Sequence, residues 1–143
     1  MIVKSVVLAC EPVRAFQLFT ARISEWWPPE RRHTSDPNST IVLSVEGRFY
    51  ERDQKGTEVE LGLVRAWEAP KRLVLDWYPG TDPAHPTRVE VLFEPEGTST
   101  RVVVQHSATP SSEALFPTRA PRYEASWTLV LAAFGGATEL DKR

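Results

Sequence analysis

Between residues 40 and 106 the chain alternates hydrophobic and polar positions with a period of two, as strands with one buried face do. A further β-rich run, from Met1 to Ala9, begins the chain. Polar or glycine-bearing segments interrupt the alternation, and they predict a hairpin loop at 53–56, a surface loop at 79–86 and a turn at 96–98. The pattern therefore predicts an antiparallel meander of about seven strands. Within it, Gly62 predicts a bulge or a close backbone approach.

Helical periodicity appears first after the opening strand. The pair Glu11-Pro12 starts a helix, because proline is tolerated at the first helical position. Val13, Phe16 and Phe19 then recur at three-residue steps, which predicts one buried face. A second short helical turn is expected at about residues 21–26.

The last periodic segment is one long helix near the C-terminus. Its single apolar stripe consists of Tyr123, Trp127, Val130, Leu131 and Phe134. Gly135-Gly136 marks its end, and the proline- and serine-rich segment 109–121 predicts a long connection before it. The order is strand, two short helices, six strands and long helix. It predicts an α+β class and a single domain over 1–143.

Trp26 and Trp27 lie directly before Pro28 and Pro29, at a point where a helix has to end. Adjacent residues of a regular helix point about 100° apart, so the two rings do not enter one pocket together. In one interpretation, one ring seals the end of the sheet as core and the other packs under the next loop. In the other, one ring forms the mouth of a ligand cavity.

Composition and charge narrow the function classes. The chain has 143 residues, of which 41% are hydrophobic and 25% charged, which is ordinary for one globular domain. A net charge of -2, with the two signs interspersed, offers no basic surface for nucleic acid. The lone Cys10 excludes an internal disulfide, and no stretch approaches the roughly 20 apolar residues of a membrane span. We expect a cytoplasmic protein.

Segments spread along the chain carry a resemblance to a known family: "AFQLFT" (15–20), "WWPP" (26–29), "GRFYER" (47–52), "GTEVELGLV" (56–64), "APKRLVLDW" (69–77), "PTRVEVLFEPEGTSTRVVVQH" (86–106) and "YEASWTLVL" (123–131). Together they resemble the C-terminal domain of the Aha-type activators of heat-shock-protein-90 ATPase. That family lies within the START-like, SRPBCC or pollen-allergen-like superfamily. The resemblance spans nearly the whole chain, from about Ala15 to Leu131.

The resemblance implies a helix-grip fold. In such a fold a strongly curved antiparallel sheet wraps the long C-terminal helix, and two short helices close one end. A cavity often lies between the helix and the sheet. No particular chemistry is implied, because superfamily relatives include lipid-transfer proteins, polyketide cyclases and co-chaperones. The sequence contains none of the separate N-terminal domain of the eukaryotic co-chaperone, so chaperone ATPase activation is not transferred.

Aromatic residues supply most of the lining expected for such a cavity. The candidate ligand-binding residues are Trp26, Trp27, Phe49, Trp77, Phe93, His106, Tyr123, Trp127 and Leu131. An apolar lining with a few polar groups, here the Tyr123 hydroxyl and the Trp127 indole, is typical of small-molecule pockets. Plain packing of helix on sheet is the alternative for the same residues.

His106 and Glu51 are the candidate titratable pair. The alternation of the last strand turns His106 inward, and Glu51 shares a face with Phe49. A carboxylate and an imidazole on the concave side could act as an acid–base pair. Alternatively, His106 makes a structural hydrogen bond to the connection that follows the strand. These two are the catalytic candidates that the sequence offers.

Metal and cofactor sites are not expected. The three histidines His33, His85 and His106 and the single Cys10 lie far apart, and no two of them have metal-ligand spacing. The sequence contains neither a glycine-rich phosphate loop nor a nucleophile elbow.

Three functions follow from these observations, and we rank binding above catalysis. The first is an intracellular module that holds a small apolar or aromatic molecule between the sheet and the C-terminal helix. The second is a co-chaperone-like domain that acts on a heat-shock-protein-90-type chaperone through its surface. The third is a cyclase- or dehydratase-like enzyme that uses His106 and Glu51.

Overall fold

A curved, seven-stranded antiparallel sheet wraps one long helix in the computed structural model, which describes residues 1–142. The strands are β1 (Ile2–Leu8), β2 (Thr40–Leu43), β3 (Arg48–Arg52), β4 (Glu58–Glu68), β5 (Arg72–Trp77), β6 (Thr87–Glu96) and β7 (Ser99–Ser107). The helices are α1 (Pro12–Phe19) and α2 (Phe116–Gly135), and 3-10 turns lie at Ile23–Glu25, Pro29–Arg31 and Ala137–Lys142. The predicted helix-grip fold is confirmed.

The strand order across the sheet is β1-β7-β6-β5-β4-β3-β2. Strands β2 to β7 follow one another as antiparallel neighbours, as the alternation predicted. β1 instead pairs with the last strand, with Ile2 opposite His106 and Leu8 opposite Thr100. The chain must therefore pass from one edge of the sheet to the other between β1 and β2, and this crossing carries α1 and the tryptophan pair.

One face of the sheet forms the core. On β6, Val89 and Val91 are fully buried and lie opposite His106 and Val104 of β7, which are buried as well. The outer face carries arginine–carboxylate pairs that are partly exposed to solvent. Exposed pairs of this kind contribute about 0 to 1 kcal/mol each, so apolar burial on the inner face stabilises the sheet.

Gly62 on β4 lies where two backbones approach closely. A Cβ at this position would overlap the carbonyl oxygen of Asp76 on β5 and would lie 3.4 Å from the Phe49 ring. The register between β3 and β4 shifts at the same place, because Phe49 pairs with Gly62 while Tyr50 pairs with Glu60. Both predicted features, a bulge and a close backbone approach, are therefore confirmed at Gly62. Bulges of this kind bend a sheet.

The apolar stripe of α2 is buried as predicted, but the helix begins earlier than the sequence indicated. Its first residue is Phe116, whereas residues 109–121 were expected to form a connection. Pro117 lies in the first turn, where its missing N–H costs no helical bond. Pro121 lies inside the helix and forgoes one such bond. The Phe116 ring, at the start of the helix, packs on the rings of His106 and Tyr123, with 5.6 and 5.7 Å between ring centroids.

The buried face of α1 differs from the predicted one at its first turn. Phe16 and Phe19 are buried, but the Val13 side chain is 55% exposed. Val13 borders an open groove that Pro70 and Phe93 also line. The three-residue step identified the helix correctly, but the prediction that Val13 is buried was wrong.

The Gly62→Ala substitution tests the close approach of β4 and β5. The added methyl group collides with backbone, which cannot move without distorting two strands, so we expect a loss of about 1–3 kcal/mol or more in unfolding free energy. Gly136→Ala is the matched control, since its Cβ would lie 3.7 Å from the Ala133 carbonyl oxygen. Urea denaturation measures both variants, and equal stabilities would contradict the overlap.

Candidate functional site

Trp26 and Trp27 each have a separate partner. The Trp26 indole N–H donates to the Leu18 carbonyl oxygen at 2.6 Å, and its ring packs on Phe134 with 4.7 Å between ring centroids. The Trp27 indole N–H donates to the Arg31 carbonyl oxygen at 3.2 Å. Trp26 therefore belongs to the core, whereas the Trp27 ring borders a pocket.

That pocket has a volume of about 340 Å³ and opens between α2, the segment 27–33 and the loop at 79–80. We call it the mouth pocket, and its lining consists of Trp27, Glu30, Arg31, Arg32, His33, Trp77, Pro79, Gly80, Arg122, Tyr123, Ser126, Trp127 and Val130. The pocket lies at the open end of the fold, and buried aromatic rings fill the space beneath it.

The aromatic wall of the mouth pocket is a continuous stack of rings. Trp77 lies 5.1 Å from Trp127 and 6.2 Å from Trp27, measured between ring centroids. The ring planes are tilted by 37° between Trp77 and Trp127 and by 47° between Trp77 and Trp27. The indole N–H groups of Trp27 and Trp127 are both bonded within the protein. The wall therefore offers hydrophobic ring surface.

The loop that forms the opposite wall is fastened to α2. The Tyr123 hydroxyl donates to the Pro79 carbonyl oxygen at 2.9 Å, and Arg119 Nε donates to the Gly80 carbonyl oxygen at 2.6 Å. Gly80 has φ +84°, and a Cβ there would lie 2.7 Å from the Tyr123 hydroxyl oxygen. Glycine at 80 is what allows the loop and the tyrosine to meet.

The rim of the mouth pocket is basic. Three arginines, Arg31, Arg32 and Arg122, line it together with one glutamate, Glu30. Arg32 also holds the segment in place, since its guanidinium donates to the carbonyl oxygens of Ser39 and Ser24, both at 2.8 Å. The positive charge lies immediately above the aromatic wall.

His106 is fully buried and joins the helix to the sheet. The Trp127 indole N–H donates to His106 Nδ1 at 3.0 Å. An indole nitrogen can only donate, so Nδ1 carries no proton and the proton of the neutral ring is on Nε2. Nε2 then donates to Thr87 Oγ1 at 2.7 Å, and the Thr87 hydroxyl donates to the Trp77 carbonyl oxygen at 3.1 Å.

Protonation of His106 would disrupt this chain. A second ring proton at Nδ1 would face the indole N–H, and burial lowers the pKa of His106 to about 3. The imidazole is therefore neutral at physiological pH. Of the two interpretations from the sequence, the structural hydrogen bond is the one observed, although its partners are Thr87 and Trp127 and not the connection after β7.

Glu51 is fully buried and binds the segment that forms the rim. Its two carboxylate oxygens accept the backbone N–H groups of His33 and Thr34 at 2.7 and 2.8 Å. Burial alone would raise the pKa of Glu51, but these bonds and those from the hydroxyls of Thr34 and Ser39 together lower the pKa below its usual value. The ionised carboxylate therefore fastens the 33–39 loop to β3.

The structure does not bring His106 and Glu51 together. They lie on β7 and β3, with three strands between them, and each belongs to its own hydrogen-bond network. Of the predicted lining, Trp27, Trp77, Tyr123 and Trp127 meet at the mouth pocket. The others lie in the core beneath it, namely Trp26, Phe49, Phe93, His106 and Leu131.

The polar part of the site was not predicted from the sequence. Arg31, Arg122, Ser126 and Gly80 line the mouth pocket, and none was a predicted site residue. The adjacent arginines Arg31 and Arg32 were the one signal in the sequence for a basic rim. Charge clusters in loops are usually solvated, so this signal did not indicate a site. Arg122 and Ser126 become relevant only when α2 is placed, because each then faces the segment 27–33.

Neither a metal-binding cluster nor a membrane-spanning helix is found among the described residues. No group of three or more histidine, cysteine, aspartate or glutamate side chains is placed to hold a metal ion in that part of the chain. None of the helices described there combines the length and hydrophobicity needed to cross a membrane.

His106→Gln tests the buried neutral imidazole. The folded-state pKa lies below the unfolded value of about 6.5, so wild-type stability falls as the pH drops from about 6.5 towards about 3. This group contributes up to about 1.4 kcal/mol per pH unit in that window. Glutamine keeps a donor and an acceptor but does not titrate, so the variant's unfolding free energy should depend less on pH between 4 and 6. Parallel curves would contradict the assignment.

Glu51→Gln tests the attachment of the 33–39 loop. Loss of the charged acceptor should cost about 1.5–3 kcal/mol and should speed hydrogen exchange of the His33 and Thr34 amides. Glu58→Gln is the matched control, because Glu58 is exposed and its pair with Arg48 lies on the outer face. The control should change stability by less than about 1 kcal/mol. Equal exchange in both variants would exclude this role for Glu51.

A family model described as activator of Hsp90 ATPase homolog 1-like protein matches residues 9–136. No curated protein matches the chain. The structure is similar to that of CalC, a self-sacrificing resistance protein from Micromonospora echinospora, with TM-score 0.75 and 28% identity. The match covers 98% of this chain and 94% of CalC.

Two other solved structures extend the likeness. Txn09, an anthrahydroquino-gamma-pyrone synthase solved complexed with SUM, has TM-score 0.61 and 28% identity, and the match covers 95% of each chain. An Hsp90 activator from Plasmodium falciparum has TM-score 0.52 and 15% identity, over 76% of this chain and 73% of that one. At that identity, the last match shows a shared fold.

Proposed function

The chain belongs to the activator of Hsp90 ATPase homolog 1-like family, and on that premise we propose that it is a binding protein that holds a small aromatic molecule in the mouth pocket. The observation that carries this proposal is the pocket of about 340 Å³ lined by Trp27, Trp77, Tyr123 and Trp127. Small-molecule sites commonly have volumes of roughly 300 to 1,000 Å³.

The state of the polar atoms supports an aromatic ligand. The Trp27 and Trp127 indole N–H groups and the Tyr123 hydroxyl already donate within the protein. A ligand therefore meets hydrophobic ring surface, which favours a planar molecule that stacks at an offset or contacts a ring edge-on. On the opposite wall, bonds from Arg119 and Tyr123 hold the loop at Pro79 and Gly80 in place before a ligand arrives. A wall that is already ordered lowers the entropy cost of binding.

The names of the structural neighbours support the same proposal. Txn09 is named as the synthase of a compound with an anthrahydroquinone and a pyrone, and CalC as a resistance protein. Both cover nearly the whole chain at 28% identity. A ligand with fused planar rings would suit the aromatic wall of the mouth pocket.

Binding is favoured over the cyclase- or dehydratase-like alternative. That alternative needs His106 and Glu51 within reach of one ligand, and they lie in separate networks. The His106 imidazole has both nitrogens engaged, and the Glu51 carboxylate accepts two backbone N–H groups. Neither residue lines the mouth pocket.

The second candidate function is binding to a heat-shock-protein-90-type chaperone, and the family description favours it. Such an interaction would use the surface of the domain and would not require the mouth pocket. A pull-down of the chaperone above background, unaffected by a ligand in the pocket, would favour this function. Recovery at background level would count against it.

The pair Ser126→Trp and Ala125→Trp tests the proposed function. Ser126 lines the mouth pocket, while Ala125 is exposed on the adjacent face of α2, so both variants add the same bulk to the same helix. N-phenyl-1-naphthylamine, whose emission rises in apolar surroundings, serves as a neutral aromatic probe. We expect Ser126→Trp to weaken its binding at least tenfold, or about 1.4 kcal/mol, and Ala125→Trp to leave it unchanged.

The proposal fails if wild-type protein does not enhance the probe's emission, or if both variants bind it as the wild type does. In the second case the probe would be bound elsewhere on the surface. Circular dichroism of each variant establishes that the helix has kept its fold.

A further inference from the structure

The mouth pocket contains a guanidinium group that is only partly satisfied. Among the described residues, Arg31 Nε is the buried side-chain nitrogen or oxygen atom that has no hydrogen-bond partner. The same side chain makes one long contact, from Nη1 to the Glu30 carbonyl oxygen at 3.4 Å. Buried polar groups are nearly always paired in folded proteins, so an unpaired cationic donor calls for an explanation.

Other arginines of this chain show the contrast. Five arginines of the sheet lie 2.5 to 3.2 Å from a carboxylate oxygen, namely Arg48, Arg65, Arg72, Arg88 and Arg101. In the described part of the chain, neither Arg31 nor Arg122 has a carboxylate within ion-pair distance, and neither guanidinium stacks on an aromatic ring. Both line the mouth pocket, on the 3-10 turn and on α2.

We propose that the mouth pocket takes an aromatic molecule that carries an acidic group, with the rings on the tryptophan wall and the acid paired with the Arg31 guanidinium. This inference rests on the proposed function and names the class of ligand. A guanidinium presents its donors as a planar fork, and Nε with one Nη pairs with two oxygens of a carboxylate or sulfonate. Arg122 supplies a second positive charge to the same pocket.

The arrangement also discriminates between ligands. A neutral aromatic molecule would fill the pocket but leave Arg31 Nε, which is already shielded from water, without a partner. An anionic molecule of the same shape would satisfy it. A site with a buried polar group rejects the ligand that cannot pair with that group. Glu30 is the one acidic residue on the rim, against three arginines, so the local charge also favours an anion.

Two probes that share one aromatic skeleton test this inference. 1-Anilinonaphthalene-8-sulfonate is N-phenyl-1-naphthylamine with an added sulfonate, and the emission of both rises on binding. Wild-type protein should bind the sulfonate at least tenfold more tightly at low salt. Raising the ionic strength should reduce this preference, because the rim is partly open to solvent and its charge is screened.

Arg31→Gln should remove the preference for the sulfonate, because only the sulfonate loses a partner for its charge in this variant. Arg31→Lys keeps the charge but loses the fork, so part of the preference should remain. Arg52→Gln is the matched control, because it removes one exposed positive charge from β3, away from the mouth pocket. The Trp27 indole bonds to the backbone of residue 31, so these substitutions spare that contact.

The outcomes separate this inference from the proposed function. Equal binding of the two probes by the wild type would overturn the proposal that the ligand is anionic, and so would an equal loss of affinity for both in Arg31→Gln. Neither result would contradict the proposal that the pocket binds an aromatic molecule. If Ser126→Trp weakens the binding of neither probe, the probes do not bind in the mouth pocket. That result would overturn both the proposed function and this inference. A preference for the sulfonate that persists in Arg31→Gln but is lost in Arg52→Gln would also overturn the assignment to Arg31.

Discussion

The hydrogen bond between the Trp127 indole and His106 connects the two halves of the fold. It ties the middle of α2 to the inner face of β7, and through Thr87 it reaches the backbone of β5 at Trp77. Each donor in this chain has one acceptor, and the order of donors requires a neutral imidazole. Because these atoms are buried, a shift of the helix that broke any one of these hydrogen bonds would leave an unpaired polar group. The series of hydrogen bonds therefore specifies the position of α2.

The same region explains why the pocket lies at the mouth of the fold. Large rings occupy the interior between sheet and helix, with Phe49, Trp77 and Trp127 stacked along it. Protein interiors pack at close to crystalline density, so side chains of this volume leave no comparable space among themselves. The free volume therefore lies above the stack, where α2 and the segment 27–33 diverge.

Two buried ionisable groups that resemble catalytic residues act here as structural ones. Glu51 fastens the loop that follows the rim, and His106 fastens α2, which carries Trp127 of the aromatic wall. Each has its polar atoms committed to neighbours in the protein. Arg31 is the opposite case, since it lies at the surface of the pocket with a buried nitrogen unpaired. That difference distinguishes the residues that hold the pocket walls in place from Arg31, to which we assign the pairing with a ligand.

The sequence by itself determined the meander, the buried stripe of α2, the close approach at Gly62 and the family, because each depends on local periodicity or on a motif. It indicated that His106 and Glu51 point inward, but tertiary structure decided what they meet. The partners in these bonds are 17 to 21 residues away along the chain, and alternation specifies a face without specifying the neighbour. For the same reason the start of α2 at Phe116 and the basic rim at Arg31 and Arg122 emerged only once the helix was packed on the sheet.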